Sequence, residues 1–568
     1  MLKFKDNNIK LFVQQAREQE DESLAIETSK LLDLPLMDLT TYPVEYSALG
    51  TITEEESHQA EVAPFHRAGK RLFVACINPK NPKTKVIIDR LMREEYILSI
   101  FVCTRKSLTR AWDRYLDMKK NRNVSSGVVT VNESLIDDYT KNIKSVFDFK
   151  DISKKTLEEG KASITKIFEI ILAGAYALKA SDIHIEPGDK EVRVRFRLDG
   201  MLHDVLTIPS QGYHFFKSRL KIVSGVKLNQ AKEAQDGRFT IKIGQKDIEV
   251  RVSIIPGNYG ESAVLRLLDP EATKVSLETL GFEPYLEKAV FRAIDRPNGI
   301  ILLTGPTGSG KTTTLYACLR KVYTPDVKII TIENPIEYKL EGIVQTQVEN
   351  DSDEYTFASA LRAILRQDPD IIMVGEIRDQ ETAGTAVQAA LTGHLVFSTL
   401  HTNTAAGVIP RLLDMKVNPK ILGSALTLSL AQRLLRRVCT NCAYDYEATP
   451  DEKKIINDIV SGMIDTNKQS FIEPFREKLY NLRKGKGCDV CNGFGYKGRL
   501  AVHEAIEMNA EIERVAATTP SEREIQAAAS KQGFLTLRED ALLKILRGQT
   551  TIEEAIKVVD MYGSGVME

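Results

Sequence analysis

Between Gly305 and Thr312 the chain reads Gly-Pro-Thr-Gly-Ser-Gly-Lys-Thr. Glycines at this density let a backbone curl until its N–H groups converge, and converging N–H groups bind anions. Gly305, Pro306, Thr307, Gly308, Ser309, Gly310, Lys311, Thr312 and Thr313 are therefore expected to cradle the phosphates of ATP. Lys311 would reach the β- and γ-phosphates, and the Thr312 hydroxyl would ligate Mg²⁺. The apolar run Gly299–Thr304 precedes the loop and a helical pattern follows it. Strand, glycine loop and helix together open a nucleotide-binding α/β core.

Three other segments could complete such a site. Asp370-Ile-Ile-Met-Val-Gly-Glu376 is a buried strand ending in an acid, where a carboxylate would meet Mg²⁺ and its water. Ile332-Glu333-Asn334-Pro335-Ile336-Glu337 leaves another strand with two carboxylates, one of which could polarise the attacking water. A merely solvated acidic turn fits the same residues. His394 and His401 flank the strand Leu395–Leu400, where either could sense a γ-phosphate or be structural.

Two further groups carry chemistry of other kinds. Cys439/Cys442 and Cys488/Cys491 form two C-x-x-C pairs separated by 45 residues. Four thiolates suit a tetrahedral structural Zn²⁺, and Gly485, Gly487, Gly493 and Gly495 would relieve the tight turns of the second knuckle. Cys76, Cys103 and Cys318 sit in apolar surroundings and read as small core residues. Arg193, Arg195, Arg197, Arg238, Arg251 and Arg266 lie on strand patterns upstream of the loop. They form either a solvated strand face or fingers that reach ATP at an interface.

The elements that must position these residues read as three α/β units. In the first, Arg71–Ile77 and Tyr96–Val102 are strands, Asn78–Pro82 a turn and Val86–Glu95 a helix. A basic stretch and Ser125-Ser-Gly127 follow, and Leu116–Lys155 reads as a linker with room for part of it to be helical. The second unit starts near Ala162 with the helix Ile164–Ala180. It continues with strands at Asp182–Glu186, Glu191–Asp199, Gly237–Ile243, Asp247–Ile255 and Ser262–Leu268. The third begins near Ser276, with core strands at Gly299–Thr304, Lys328–Ile332, Ile371–Val374 and His394–Leu400.

Composition narrows the function classes. A formal net charge of −1 gives no general pull toward nucleic acid or anionic lipid. No apolar stretch reaches the ~20 residues a membrane-spanning helix needs. Met1–Lys10 is charged and lacks the apolar core of a signal peptide, so a cytosolic protein is expected.

Longer matching segments accompany these motifs. They are Ala180–Pro187, Arg195–Gly200, Gln235–Phe239, Arg251–Ser253, Gly260-Glu261, Ile332–Tyr338, Leu365–Asp370, Val374–Asp379, Thr392–His394, Ser398–Thr402 and Ala431–Leu434. With the phosphate loop and the four cysteines, they make the chain from Leu32 onward resemble the secretion-superfamily ATPases of the PilB/GspE family, above all their pilus-assembly branch.

The resemblance implies an α/β fold. A small N-terminal α/β docking domain (1–115) and a linker (116–155) would precede a PAS-like domain (156–272) and a RecA-like ATPase domain (273–568). The last would include a zinc-binding tetracysteine insert (436–500) and a C-terminal helical part (501–568). It implies Glu337 as general base, Glu333 as its partner in the acidic box, Glu376 as the Walker B glutamate, His394 and His401 as the His box, and Arg251 and Arg266 as arginines reaching the nucleotide. The cofactors would be ATP, Mg²⁺ and Zn²⁺.

Six chains would form a ring at the inner face of the cytoplasmic membrane and turn an inner-membrane platform protein (PilC/GspF-like), with a cytoplasmic adaptor a further partner. Membrane contact would run through those partners alone, and no nucleic acid is expected. The chain departs from the family at Asn334, which replaces the usual aspartate of the acidic box. Its first residues also lack the Arg-Leu-Gly and spaced Leu/Gly pattern of members that bind cyclic di-GMP, so docking is the expected role of the first domain. The alternatives are a type II secretion or DNA-uptake ATPase, a nucleic-acid-translocating RecA-like motor, and a scaffold that binds ATP without hydrolysing it.

Overall fold

A computed structural model describes residues 20–40, 42, 44–122, 128–130, 139, 141–158, 164–243, 246–269, 275–349, 355–466, 468–518 and 520–562. The readings of Met1–Lys10, of Ser125–Gly127 and of a domain start near Ala162 lie outside the described residues. The chain divides into two compact units, Met1–Ser126 and Gly127–Glu568.

In the first unit, β1 (Val62–Ala68) pairs antiparallel with β2 (Arg71–Cys76), which pairs parallel with β3 (Ile97–Val102). The crossover from β2 to β3 is helix α1 (Pro82–Arg93), capped by the Asn81 side chain on Lys83 N. Successive strand residues face opposite sides of a sheet. Leu72, Val74 and Cys76 accordingly pack with Ile87 and Leu91 of α1. Ala75 packs on the other face with Phe65, Leu108, Ala111 and Tyr115. Leu108, Ala111 and Tyr115 belong to α2 (Arg105–Arg122), which crosses the boundary where a linker is expected.

The second unit holds two seven-stranded sheets. The first runs in the order β4-β8-β9-β10-β5-β6-β7, from β4 (Val128–Thr130), β5 (Asp182–Pro187), β6 (Glu191–Leu198), β7 (Met201–Pro209), β8 (Gln235–Ile243), β9 (Lys246–Ile255) and β10 (Ser262–Leu268). All its pairings are antiparallel except β4 with β8. β6 and β9 alternate buried apolar with outward, mostly polar residues, the signature of a sheet covered on one face. That face carries α4 (Ile164–Ala177) and α5 (Ser210–Ser224), joined by Phe168 against Phe216 and Phe239.

The end of the expected linker is helical, as α3 (Val146–Glu158). Phe149 is wholly buried against Phe196, and a Cβ on Gly174 of α4 would strike the Phe149 ring. Lys144, Lys150, Lys154 and Lys155 make the segment read as polar, while Ile143, Val146 and Phe149 do the packing.

The second sheet runs β13-β12-β14-β15-β11-β16-β19, from β11 (Gly299–Thr304), β12 (Ile329–Glu333), β13 (Val344–Gln347), β14 (Ile371–Val374), β15 (Leu395–Leu400), β16 (Leu426–Val438) and β19 (Tyr496–Glu507). The strands are parallel except β19, which is antiparallel to β16. β11, β12, β14 and β15 are buried throughout, as parallel strands covered on both faces must be. β17 (Ala443–Glu447) and β18 (Asn481–Gly485) form a separate two-stranded ribbon between β16 and β19. Because the central strands run in one direction, their carboxyl ends share one edge, where open α/β sheets bind ligands.

Candidate nucleotide site and metal centre

The loop after β11 has the shape its glycines suggest. Gly305, Gly308 and Gly310 have φ of 147°, 80° and 88°, conformations that side-chain-bearing residues rarely adopt. The helix that follows, Lys311–Val322, points its N-terminus into the loop, where free N–H groups and the helix dipole favour an anion. Lys311 Nζ donates to the carbonyls of Gly305 and Pro306 at 2.7 and 3.1 Å. Burial pushes its pKa below the usual lysine value; Glu376 opposes that shift and Arg433 adds to it. Ser309 Oγ is buried without a protein partner. Thr312 and Thr313 are half-buried on the first helical turn, whereas Thr314 is buried and donates to Gln432 Oε1 at 2.7 Å. A cavity of about 670 Å³ opens beside Gly310 and Thr313, lined also by Leu434, Arg437 and Arg499. Its position beyond the phosphate loop suits the nucleoside of a bound nucleotide.

Glu376 lies two residues past the end of β14. Its carboxylate meets His401 Nε2 at 3.2 Å and Arg378 Nη2 at 2.5 Å. The strand pairing Thr304 with Leu400 places His401 level with Gly305. His394 stands at the other end of β15, where its carbonyl accepts from Gly299 N at 3.1 Å and its ring Nδ1 lies 3.0 Å from Ala389 O. At ~3.3 Å per residue, the two histidines are separated by roughly 20 Å of strand. The structure therefore does not bring His394 to this chain's own phosphate loop, while His401, at the other end of the strand, stands beside it.

The two acids of the box differ sharply. Glu333 is 3% exposed and accepts hydrogen bonds from Tyr316 OH, from Thr331 Oγ1 at 2.6 Å and from Gln345 Nε2 at 3.0 Å. A carboxylate so held braces the end of β12 and is not free to take a proton from water. Glu337 is more open, and its Oε2 accepts from Arg251 Nη1 at 2.7 Å. Arg251 also donates to Ile336 O. Residue Asn334 precedes Pro335 through a cis peptide bond.

The arginines of the antiparallel sheet separate by register. Arg193 and Arg195 bind Glu186, at 3.1 and 2.5 Å, and Arg197 binds Asp182 at 3.2 Å, so these three form a locally paired face. Arg238, Arg251 and Arg266 instead stand directly opposite one another on β8, β9 and β10. Like charges abreast repel. Arg266 is anchored by Asp182 at 3.0 Å, which outweighs burial and raises its pKa, and Arg251 by Glu337. Arg238 is exposed at the end of this row.

The four paired cysteines converge. Their sulfurs lie within 4.8 Å of one another, with 3.9 Å from Cys439 to Cys488 and 3.7 Å from both Cys442 and Cys488 to Cys491. Four sulfurs ~2.3 Å from one Zn²⁺ would stand about 3.8 Å apart, so the set fits tetrahedral zinc. Backbone N–H groups of Cys488 and Gly495 donate to Cys491 Sγ at 3.1 and 3.2 Å. The Asn441 amide donates to Cys488 Sγ at 3.5 Å and is the leading cause that lowers that thiol to about 6. Close backbone crossing demands the glycines: a Cβ on Gly485 would meet Gly495 O at 2.2 Å, and one on Gly487 would meet Gly493 O at 2.4 Å.

Sequence reasoning assigned no roles to Gln432 and Arg433, although it noted the segment that contains them. The only available signal is two large polar residues inside the otherwise small or apolar run Leu426–Leu435. The pairing of Thr304 with Ala431 puts both level with the phosphate loop. Arg433 Nη1 and Nη2 donate to Gln432 O and Asn403 O at 3.0 and 2.6 Å.

A family model described as Type II/IV secretion system protein matches residues 157–557, and one described as the MshEN domain matches residues 32–122. The type IV pilus assembly ATPase PilB of Myxococcus xanthus is 37% identical over 540 residues, covering 94% of this chain and 91% of that protein. Type II secretion system protein E of Pectobacterium carotovorum is 44% identical over 398 residues, covering 70% of this chain and 76% of its own. Among solved structures, the Legionella pneumophila ATPase DotB matches with a TM-score of 0.50 at 22% identity. It covers 69% of this chain and 94% of that one, a likeness of fold.

Proposed function

The chain belongs to the type II/IV secretion ATPase family, and from that premise we propose that it is the motor of type IV pilus extension. Six copies would form a ring at the cytoplasmic face of the inner membrane, and ATP hydrolysis would drive pilin polymerisation through a platform protein. The observation that carries the pilus assignment is coverage. The M. xanthus pilus-assembly ATPase aligns along nearly the whole of both chains, N-terminal unit included. The higher identity of the secretion E protein, confined to a shorter span, supports a type II secretion motor as the second reading.

The chemistry follows from the residues at the sheet edge. Lys311 and the loop N–H groups would hold the β- and γ-phosphates. Thr312 and Glu376 would hold Mg²⁺, which when bound neutralises charge on the transferring phosphoryl group. Glu337 would take the proton of the attacking water. That role requires Arg251 to release Glu337 and turn to the phosphates, so one guanidinium would couple the antiparallel sheet to the state of the nucleotide. His401, on Glu376, would orient the Walker B carboxylate. The four cysteines would hold a structural Zn²⁺.

Deleting the gene in its own host and restoring it as wild type or as Lys311→Ala tests the assignment. Surface pili lost on deletion and regained only with wild type support it. Pili that persist while exoprotein secretion fails would move the assignment to type II secretion.

A further inference from the structure

We propose that Gln432 is a positioning residue for the nucleotide phosphates, acting through the peptide that joins Ser309 to Gly310. The inference deepens the reading of this loop as the ATP site and rests on it.

Gln432 lies on β16, one residue past the pairing of Ala431 with Thr304, so it stands level with the start of the phosphate loop. It is 1% exposed, and both polar atoms of its side chain are hydrogen-bonded. Nε2 donates to Ser309 O at 2.8 Å, and Oε1 accepts from Thr314 Oγ1 at 2.7 Å. One amide thus ties the last turn of the loop to the first turn of the helix behind it.

The loop also rests on this residue at both ends. A Cβ on Gly310 would stand 2.7 Å from Gln432 Nε2, and one on Gly305 would stand 2.6 Å from Gln432 O. Neither glycine has room for a side chain, and the contact is with residue 432 in each case.

The consequence for phosphate follows from peptide geometry. In a planar trans peptide the C=O and the following N–H point in opposite directions. Holding the Ser309 carbonyl down on Gln432 therefore turns the Gly310 N–H up, into the concave side of the loop. Without that anchor, the 309–310 peptide is free to rotate and its N–H leaves the phosphate cradle. Gln432 touches no phosphate itself.

The test titrates MgADP into the full chain as wild type, Lys311→Ala, Gln432→Met and Gln432→Glu, and follows ATP turnover in parallel. Methionine keeps the volume and loses both bonds. Glutamate keeps the acceptor for Thr314 and loses the donor to Ser309. Both are expected to raise the Kd for MgADP and the KM for ATP about tenfold, equivalent to about 1.4 kcal/mol, while kcat at saturating ATP falls by less than threefold. Thr314→Val, which leaves β16 untouched, is the second variant if Gln432 replacements fold poorly, with a Kd raised about threefold. Thr314→Ser, which keeps the hydroxyl, should bind as wild type.

Kd and KM within twofold of wild type in Gln432→Met, beside lost binding in Lys311→Ala, would overturn the role of Gln432 and leave the ATP site standing. Equal binding by wild type and Lys311→Ala would overturn the site and the inference together.

Discussion

Glu333 and Glu337 stand four residues apart and have different work. Glu333 is surrounded by three donors, so Glu333→Gln would set the Tyr316 and Thr331 hydroxyls against an amide. A buried group left unsatisfied costs roughly 1–3 kcal/mol, and the variant should melt earlier than wild type. Glu337 is 31% exposed, so Glu337→Gln should melt near wild type while kcat falls about 10²-fold or more. Melting curves and turnover on the same preparations separate the two.

His503 provides a pH test at the same scale. It lies on β19 against Phe282, at 4.3 Å between ring centroids, and neither ring nitrogen has a partner. Burial, with Lys544 adding to it, pushes its pKa well below 6.5. The folded protein therefore keeps this ring neutral, and the unfolded chain protonates it near pH ~6.5. Stability from this residue is therefore full above that pH and is lost as pH falls below it, by up to ~1.4 kcal/mol per pH unit. His503→Phe should flatten the fall in urea midpoint between about pH 6.5 and pH 5. An unchanged slope would mean the ring takes up its proton in the folded state.

At the scale of elements, the second cysteine knuckle makes contacts beyond the four-sulfur cluster. Asn492, one residue past Cys491 and in a left-handed conformation, accepts from Val146 N at 2.7 Å at the start of α3. Gly498 N donates to Asp199 at the β6–β7 turn at 2.7 Å, and Phe494 meets His203 of β7 edge to face. The knuckle thus touches both the linker helix and the antiparallel sheet. Removing zinc with a strong chelator should raise amide exchange at Val146 and around Asp199 about tenfold or more, since exchange reports local opening. Exchange confined to the cysteine turns would show that the knuckle is locally independent.

The central strands were legible in the sequence because a parallel strand buried on both faces is an uninterrupted apolar run. Gly299–Thr304 and Ile371–Val374 are such runs, bracketed by glycine or acid. β7, α5 and the long pair β16 and β19 were not read, since their polar residues find partners only in three dimensions, as Gln432 does on the loop. The cysteine pairs were legible as metal ligands, whereas their contact with α3 joins residues 346 positions apart and leaves no local trace. His394 and His401 were legible as flanking one strand, but which of them stands at the phosphate-loop end of the sheet depends on strand order, which leaves no local trace.

For the whole molecule, the central claim is that one sheet edge binds ATP and that Glu337, released by Arg251, hydrolyses it. Arg251 reaches that edge from the antiparallel sheet, so the claim ties chemistry to the contact between the two sheets of the second unit. Asn334 in the acidic box leaves Glu333 and Glu337 in their places. A scaffold that only binds ATP would need no exposed carboxylate there. A nucleic-acid motor would respond to DNA, so hydrolysis with and without DNA should agree within twofold.

The most direct measurement is steady-state ATP hydrolysis by the purified full chain, wild type beside Glu337→Gln, with MgATP affinity and particle size recorded for both. The account predicts that both bind MgATP comparably, that both assemble alike, and that turnover by wild type drops about a hundredfold or more in the variant. Equal turnover by the two would contradict Glu337 as the base, and a well-folded wild type that binds MgATP without turning it over would contradict the motor.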